Sequence, residues 1–471
     1  MICSSHRCLE HMRPEFHTCP SEVRVISSLE QSKIALTVQD NDPDAFFAAY
    51  DSARKGHLQA LLSKVDFKAL KSIATRLHDN VPCHTPALLE ASEQAIPDAE
   101  SKQILDQTGG QNCNIDICFA DGVVWIARLR FEEPTVLPHD AQTTMSISEA
   151  ETLKFLSRTN IRVPEVFHQS CDESEIGTPY VLMEKLPGKP LQWSDASAQQ
   201  KTKVMEQLAD VFLELEKHPF PATGSLSQGG VVGPFAQSHM FVSPSESLGP
   251  FSTLKDSLIA VLTHEIDMIK GGELSTLATD NFLTHLWRLK HLPSLLASAT
   301  HDHFYLKHAD DKGDHILIDE DYNITGIIDW EWASTETKNF AFSSPCMMWP
   351  VAKYYDGSNE LSQEEHEFAQ MFRRRGREDM AQMILQGRAW QRFLFFMAGA
   401  GVPPYDEFKD LFQGLRRSFE GEDIGSYLEW RKRACEINEA SLMEFGRTRT
   451  GGSHSTSQVP EVHGSQERNK E

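Results

Sequence analysis

The feature that most constrains this chain is a change of hydrophobic period part-way along it. Between residues 101 and 186 apolar and polar residues alternate in short runs, the signature of strands. Beyond Gln200 the apolar residues recur at three- and four-residue steps, the signature of helices. A strand-rich segment of about 85 residues is thus followed by a mainly helical one of about 250. One island of strand interrupts the helices, "HILIDEDYNITGIIDWEWA", with β-branched runs at Ile316–Ile318 and Ile324–Ile328 around a polar turn. Strands first and helices after, with a hairpin set among them, predict an α+β chain of two unequal lobes.

Local signals place the elements. "NIDICFADGVVWIARLRF" holds two alternating runs around Asp121-Gly122, a hairpin signal. "SISEAETLKFLSR" reads as a helix opening on Ser146-x-x-Glu149, a capping-box pattern. "VPEVFHQS" and "TPYVLMEKL" read as further strands, and Pro187-Gly188 breaks the chain. Residues 1–30 and 447–471 are polar or aperiodic and are expected to be disordered tails. Residues 31–100 form a helical extension, clearest over Asp44–Leu77, with 78–100 irregular. The small lobe is set at 101–186 and the large lobe at 187–446.

Charge and cysteine content exclude several classes. The formal net charge is −23, which argues against a nucleic-acid partner. The nine cysteines are odd in number and scattered, so they outline no disulfide framework, and a reducing, cytoplasmic setting is expected. The N-terminus has no apolar core of a signal peptide, and "FLFFMAGAGV" is too short to span a bilayer. No membrane partner is therefore expected. "RRRGR" at Arg373–Arg377 reads as a solvated helix end rather than a nuclear signal.

The loop "KHADDKGDH", Lys307–His315, lies between two apolar runs and carries three Asp and two His. Such a cluster is costly if desolvated and unpaired. It can be a metal site, a catalytic loop or a solvated turn. If the two runs of the island pair antiparallel, Asp310, His315 and Asp329 come to one end of the hairpin. Two carboxylates and a third ligand-capable group there suit a divalent cation.

"HADDKGDH", "ILID" and "ITGIIDW" together resemble the catalytic and metal loops of the aminoglycoside phosphotransferase and choline-kinase-like family. The resemblance continues upstream through "ILDQTGGQNCNIDICFADGVVWIARL", "SEAETLKFL", "VPEVF" and "YVLMEKLPG", covering about residues 104–335. "GIIDWEWA" is similar to runs in fungal members. The resemblance implies a protein-kinase-like bilobal fold with the nucleotide between the lobes, and transfer of the ATP γ-phosphoryl group to a hydroxyl of a small molecule. Asp310 would be the catalytic aspartate and His308 the histidine that fixes its loop. Asp329 would hold Mg²⁺. Arg128 would contact phosphate, with Glu149 as its helix partner and Glu151 as the alternative. Gly109 and Gly110 would cover the phosphates. Met183, Glu184, Lys185 and Leu186 would form the adenine hinge. Helices after Asp329, such as "QMILQGRAWQRFLFFMAGAG", would wall the acceptor pocket. Arg128 alternates with Leu129 and Arg130, and one of the two arginines is expected to be exposed.

The resemblance breaks within the loop: relatives commonly have a Leu-His-Pro-Gly type run where this chain has Asp311-Lys312-Gly313-Asp314, and a ligand position also changes. The fifth residue after the catalytic Asp is usually Asn and here is His315. An imidazole suits Mn²⁺ or Zn²⁺ better than Mg²⁺. Three readings follow: a kinase with altered metal ligation at Asp329 and His315, a pseudokinase-like nucleotide-binding protein, or an unrelated metal protein using His301, His303, His308 and His315.

Overall fold

The computed structural model describes residues 55–86, 112–130, 139–243, 245–273, 277–299, 303–395 and 403–443. The expected tails, Gly109 and Gly110 lie outside the described residues. The strand-rich part is one antiparallel sheet of order β1-β2-β3-β5-β4. Its strands are β1 (Cys83–His84), β2 (Asn112–Phe119), β3 (Val124–Arg130), β4 (Val166–Ser170) and β5 (Tyr180–Glu184). β2 and β3 form the expected hairpin, with Gly122 at φ 92° and Cys118 opposite Val124. A left-handed turn position of this kind favours glycine. β1 falls in the stretch read as irregular; two residues are too few to show a period.

Period-two alternation gives the sheet two different faces. Ile115, Ile117, Trp125, Ala127, Leu129 and Leu182 point to one side. There they meet Leu58, Leu61 and Leu62 of helix α1 (residues 55–64) and Leu70 and Ala74 of α2 (Phe67–Leu77). The N-terminal extension therefore covers the outer face of the small sheet. The backbone N–H of Asp66 donates to the Ile176 carbonyl at 2.8 Å, which docks the junction of α1 and α2. The opposite face, with Ile126, Val181 and Met183, joins the main core.

Helix α3 (His139–Leu156) starts two turns before the Ser146 expected to open it. Ser146 is thus inside the helix and cannot cap it; its hydroxyl accepts from Gln169 Nε2 at 3.1 Å. The early turns were illegible because Ala141 and Met145 are the only apolar side chains before Ile147.

The large lobe is mainly helical. α4 (Ala198–Glu216) opens on a capping box between Ser197 and Gln200. α5 (Leu254–Gly271) ends at Gly272 with φ 83°. α6 (Ala278–Ala297), α7 (Gln363–Arg374), α8 (Glu378–Leu385), α9 (Arg388–Phe395), α10 (Tyr405–Glu420) and α11 (Tyr427–Ile437) follow, with two short helices at Lys338–Ala341 and Val351–Tyr355 between α6 and α7. Phe212, Leu262, Trp287, Phe342, Phe368, Phe372 and Phe412 share its core. "RRRGR" ends α7 and is paired within the chain: Arg373 with Glu378, Arg375 with Asp210, Arg377 with Glu216 and Asp379.

The strand island is present as read. β6 (Lys189–Pro190) pairs with β8 (Ile316–Ile318), which pairs antiparallel with β9 (Ile324–Ile327). Beside it, β7 (Phe304–Lys307) pairs with β10 (Ser334–Thr337). The segment between β7 and β8 is "KHADDKGDH" without its first residue. Among the described residues no helix is long and apolar enough to cross a membrane.

The docking of the extension is testable. Leu70 is fully buried and Leu77 is 39% exposed. Leu70→Ala should destabilise by about 2–4 kcal/mol and Leu77→Ala by under about 0.5 kcal/mol, read as thermal melting shifts.

Candidate active site

One imidazole ties the two loops of the site together. His308 Nδ1 accepts from the Asp310 N–H at 3.1 Å, so in the neutral ring Nε2 carries the hydrogen. Nε2 pairs with the Ile328 carbonyl at 2.9 Å, one residue before Asp329. Trp330 is buried beneath, its ring centroid 4.9 Å from that of His308. The Ile328 N–H donates to the His315 carbonyl at 2.9 Å, closing the hairpin end. Asp310, His315 and Asp329 are therefore gathered where antiparallel pairing puts them. Asp329 sits at φ 62°, a left-handed position costly for a residue with a side chain.

The charges of the loop are paired within it. Lys307 Nζ meets Asp311 at 2.9 Å, and Asp311 also accepts from the Cys346 N–H at 2.9 Å. Burial raises the Asp311 pKa, but Lys307 and that backbone donor outweigh it and hold the carboxyl well below its usual range. Lys312 Nζ lies 2.7 Å from Asp310 and 3.5 Å from Asp314. Burial raises the Asp314 carboxyl. His315 points inward: its ring centroid is 4.2 Å from that of His308, and its Nδ1 accepts from the Gly313 N–H at 3.3 Å. Burial, then the neighbouring His308, keeps it well below the usual histidine range and hence neutral, with the hydrogen on Nε2.

Facing this loop is a cluster of two arginines and three carboxylates. Arg128 lies 2.8 Å from Glu149, 2.9 Å from Asp329 and 3.2 Å from Glu331. The Glu149 contact is an ion pair without hydrogen-bond alignment. Arg130 donates to Glu331, as does Asn112 Nδ2 at 3.0 Å. Burial lowers the Arg128 pKa, but Glu149, Asp329 and Glu331 override it and hold it above the ordinary value. With three acids against two cations, Glu149 is the one that gives way. Burial lifts it to about 7, with Arg128 opposing. Asp329 is pushed up by burial yet drawn below its usual range by Arg128. Its side chain is 43% exposed, so it is the acid of the cluster that faces the cleft.

The arginine expectation is corrected here. Arg130 is not an exposed strand residue; it is 7% exposed. Positions two apart on a strand share a face, so Arg130 must follow Arg128 into the cleft. Glu149 rather than Glu151 meets Arg128. Glu151 pairs with Lys154 and accepts from the Gly229 and Gly230 N–H groups.

At the hinge segment, the Glu184 N–H donates to the Glu165 carbonyl at 2.8 Å and the Lys185 N–H to the Val124 carbonyl at 3.3 Å. The Leu186 N–H has no partner among the described residues, and Met183 is buried in the main core. Sequence reading missed Glu331, Asn112 and Lys312. A signal existed for Glu331: a carboxylate between Trp330 and Trp332 needs a buried cation. Nothing comparable marked Asn112.

Residues 127–336 match the model of the phosphotransferase enzyme family. The match runs from Ala127 to Glu336 and contains the whole arginine–carboxylate cluster except Asn112. It bears out the family resemblance drawn from the loops. No curated protein matches the chain. Among solved structures, it is similar to aminoglycoside phosphotransferase APH(4)-Ia at 12% identity, over 76% of this chain and 99% of that one, with a TM-score of 0.43. It is similar to ADP-bound aminoglycoside phosphotransferase APH(2'')-Ib at 12% identity, over 75% and 99%, with a TM-score of 0.42.

Two outcomes follow for the cluster. Arg128→Ala strands buried carboxylates and should cost about 3–5 kcal/mol by denaturant unfolding. The second concerns pH. Glu149 titrates near 4.5 when unfolded and near 7 when folded. Between those values the folded chain holds more proton, so this group's contribution falls as pH rises. From pH 5 to 7.5 the wild type should lose up to about 3 kcal/mol relative to Glu149→Gln, seen in parallel melts.

Proposed function

We propose that the chain is a nucleotide-dependent phosphotransferase acting on a hydroxyl of a small molecule. The observation that carries this is the His308 bridge, which holds Asp310 and Asp329 in fixed relation at one hairpin end. The γ-phosphoryl group passes to the acceptor oxygen, the bond to the leaving ADP oxygen breaks, and Asp310 takes the acceptor's proton. Arg128 supplies fixed positive charge beside the phosphates. The Leu186 N–H, without a partner among the described residues, supports a hinge contact to a nucleotide base.

The residues fit one metal ion. Asp329 gives one carboxylate oxygen to Arg128, its side chain is partly exposed, and its second oxygen would be the ligand for Mg²⁺. When bound there, the ion would neutralise phosphate charge. What speaks against a second ion at His315 is that its Nδ1 already accepts from the Gly313 N–H, which leaves the hydrogen on Nε2 in the neutral ring. We infer instead that His315 Nε2–H is a hydrogen-bond donor, and that the Lys312 ammonium takes the charge role of the missing ion.

One observation favours the pseudokinase-like reading: Lys312 engages the Asp310 carboxylate at 2.7 Å. Turnover requires that contact to yield. Calorimetric ATP titration in EDTA, Mg²⁺ and Mn²⁺ separates the readings. Binding should require a divalent ion, and Asp329→Ala should weaken it at least about tenfold. Asp310→Asn should keep binding while lowering ATP turnover about 10²–10⁴-fold. ATP binding that ignores metal, with no turnover in the wild type, would overturn phosphotransfer. Manganese-ion counting by electron paramagnetic resonance should give one ion per ATP complex, and two in His315→Asn.

A further inference from the structure

A cavity of about 100 Å³ lies in the large lobe against the catalytic loop. Ala309 and Asp311, on either side of Asp310, form part of its wall. Half of the rest comes from before the loop, from the 235–240 segment and from α5, including Leu258 and Val261. Phe340 and Trp349 close the far side. Of the helices after Asp329 named by resemblance as the acceptor wall, Leu394 alone among the described residues contributes. α8 and α9 instead spend Met380, Ile384, Trp390 and Phe393 on the main core.

The charges in the wall nearly cancel. Lys307 is paired with Asp311, and its ammonium lies 5.0 Å over the Phe340 ring. Glu336 is the remaining carboxyl, accepting a 2.7 Å bond from the Ser334 hydroxyl. It shares a sheet face with Lys307, because Tyr305 opposes Glu336 and Lys307 opposes Ser334. One uncompensated carboxyl can balance one ammonium group. A polycation would leave its other ammonium groups desolvated against Leu258, Val261 and Phe340, at several kcal/mol each. The cavity is also smaller than the roughly 150 Å³ apolar cavity that accepts benzene, so it suits a compact apolar group.

We propose that this cavity holds the acceptor's body, and that the acceptor is an alcohol with a compact apolar skeleton bearing at most one positive charge, not a polycationic aminoglycoside. The ligand class rests on the cavity; its role as phosphoryl acceptor rests on the phosphotransferase reading. Apolar contact with Leu258 and Val261 would orient the skeleton, and the hydroxyl would reach the loop that carries Asp310. In the reaction the hydroxyl oxygen gains the phosphoryl group, ADP leaves, and the hydroxyl proton passes to Asp310.

The test uses the full chain and 3-fluoropropan-1-ol, an alcohol smaller than benzene, as probe. Fluorine NMR should show line broadening on adding protein, and kanamycin at equal concentration should not displace the probe. Leu258→Asp, which puts a charge in the wall, should weaken binding at least tenfold. Val261→Phe, which fills the cavity, should do the same, and serves alone if the first variant fails to fold by circular dichroism. Displacement by kanamycin, absence of probe binding, or broadening unchanged in the folded variants overturns the proposal. With ATP and Mg²⁺ added, ³¹P NMR should show a 3-fluoropropyl phosphate monoester. Binding without monoester counts against phosphotransfer and leaves the ligand class standing. Monoester from kanamycin but none from the fluoroalkyl alcohol overturns the ligand class and leaves phosphotransfer standing.

Discussion

The pairing of Arg128 with three carboxylates is the interaction on which the rest of the structure depends. Glu149 comes from α3, Asp329 and Glu331 from the segment after β9, and the arginine from the small sheet. One guanidinium thus fixes a helix and a loop of the other lobe against a strand. The cost of leaving any of these charges buried and alone is several kcal/mol, so the arrangement holds as a unit. Arg130 and Asn112 extend it through Glu331. The excess of acid is absorbed by Glu149, the more enclosed of the two acids not held by Arg130. Asp329, the exposed member, keeps its charge toward the cleft.

The same economy of charge shapes the loop Lys307–His315. Three aspartates in nine residues are tolerable because Lys307 and Lys312 lie among them. Each pair has a structural consequence. Lys307–Asp311 pins the loop to the Cys346 backbone and neutralises one wall of the neighbouring cavity. Lys312 places an ammonium between Asp310 and Asp314, beside a histidine that has turned its Nδ1 to the backbone. The departure at His315 therefore belongs to a changed local charge arrangement, in which lysine and imidazole stand where a neutral amide would be expected.

Much of this was legible in the chain itself, and the misses have physical causes. The hairpins at Asp121-Gly122 and at Ile316–Ile327 were readable because turn residues and period-two alternation act locally. The convergence of Asp310 and Asp329 followed from antiparallel pairing. The start of α3 was misplaced because its first turns bury too few apolar side chains to set a period. Arg130 was misjudged as exposed although strand geometry alone puts it beside Arg128. Asn112, Lys312 and the cavity wall gave no warning, since their partners lie far away in sequence or, for Lys312, in the path of an irregular loop.

The sequence by itself determined the order of strand-rich and helical segments, the two hairpins, and the carboxylates at the end of the second. These depend on side-chain period and turn chemistry within short stretches. Only the tertiary structure decided which acid meets Arg128, which nitrogen of His315 is occupied, and that α1 and α2 cover the small sheet. It also decided that residues before the catalytic loop wall the cavity. Each is a choice among partners dozens to hundreds of residues apart, and it is made by the geometry of burial rather than by any local pattern.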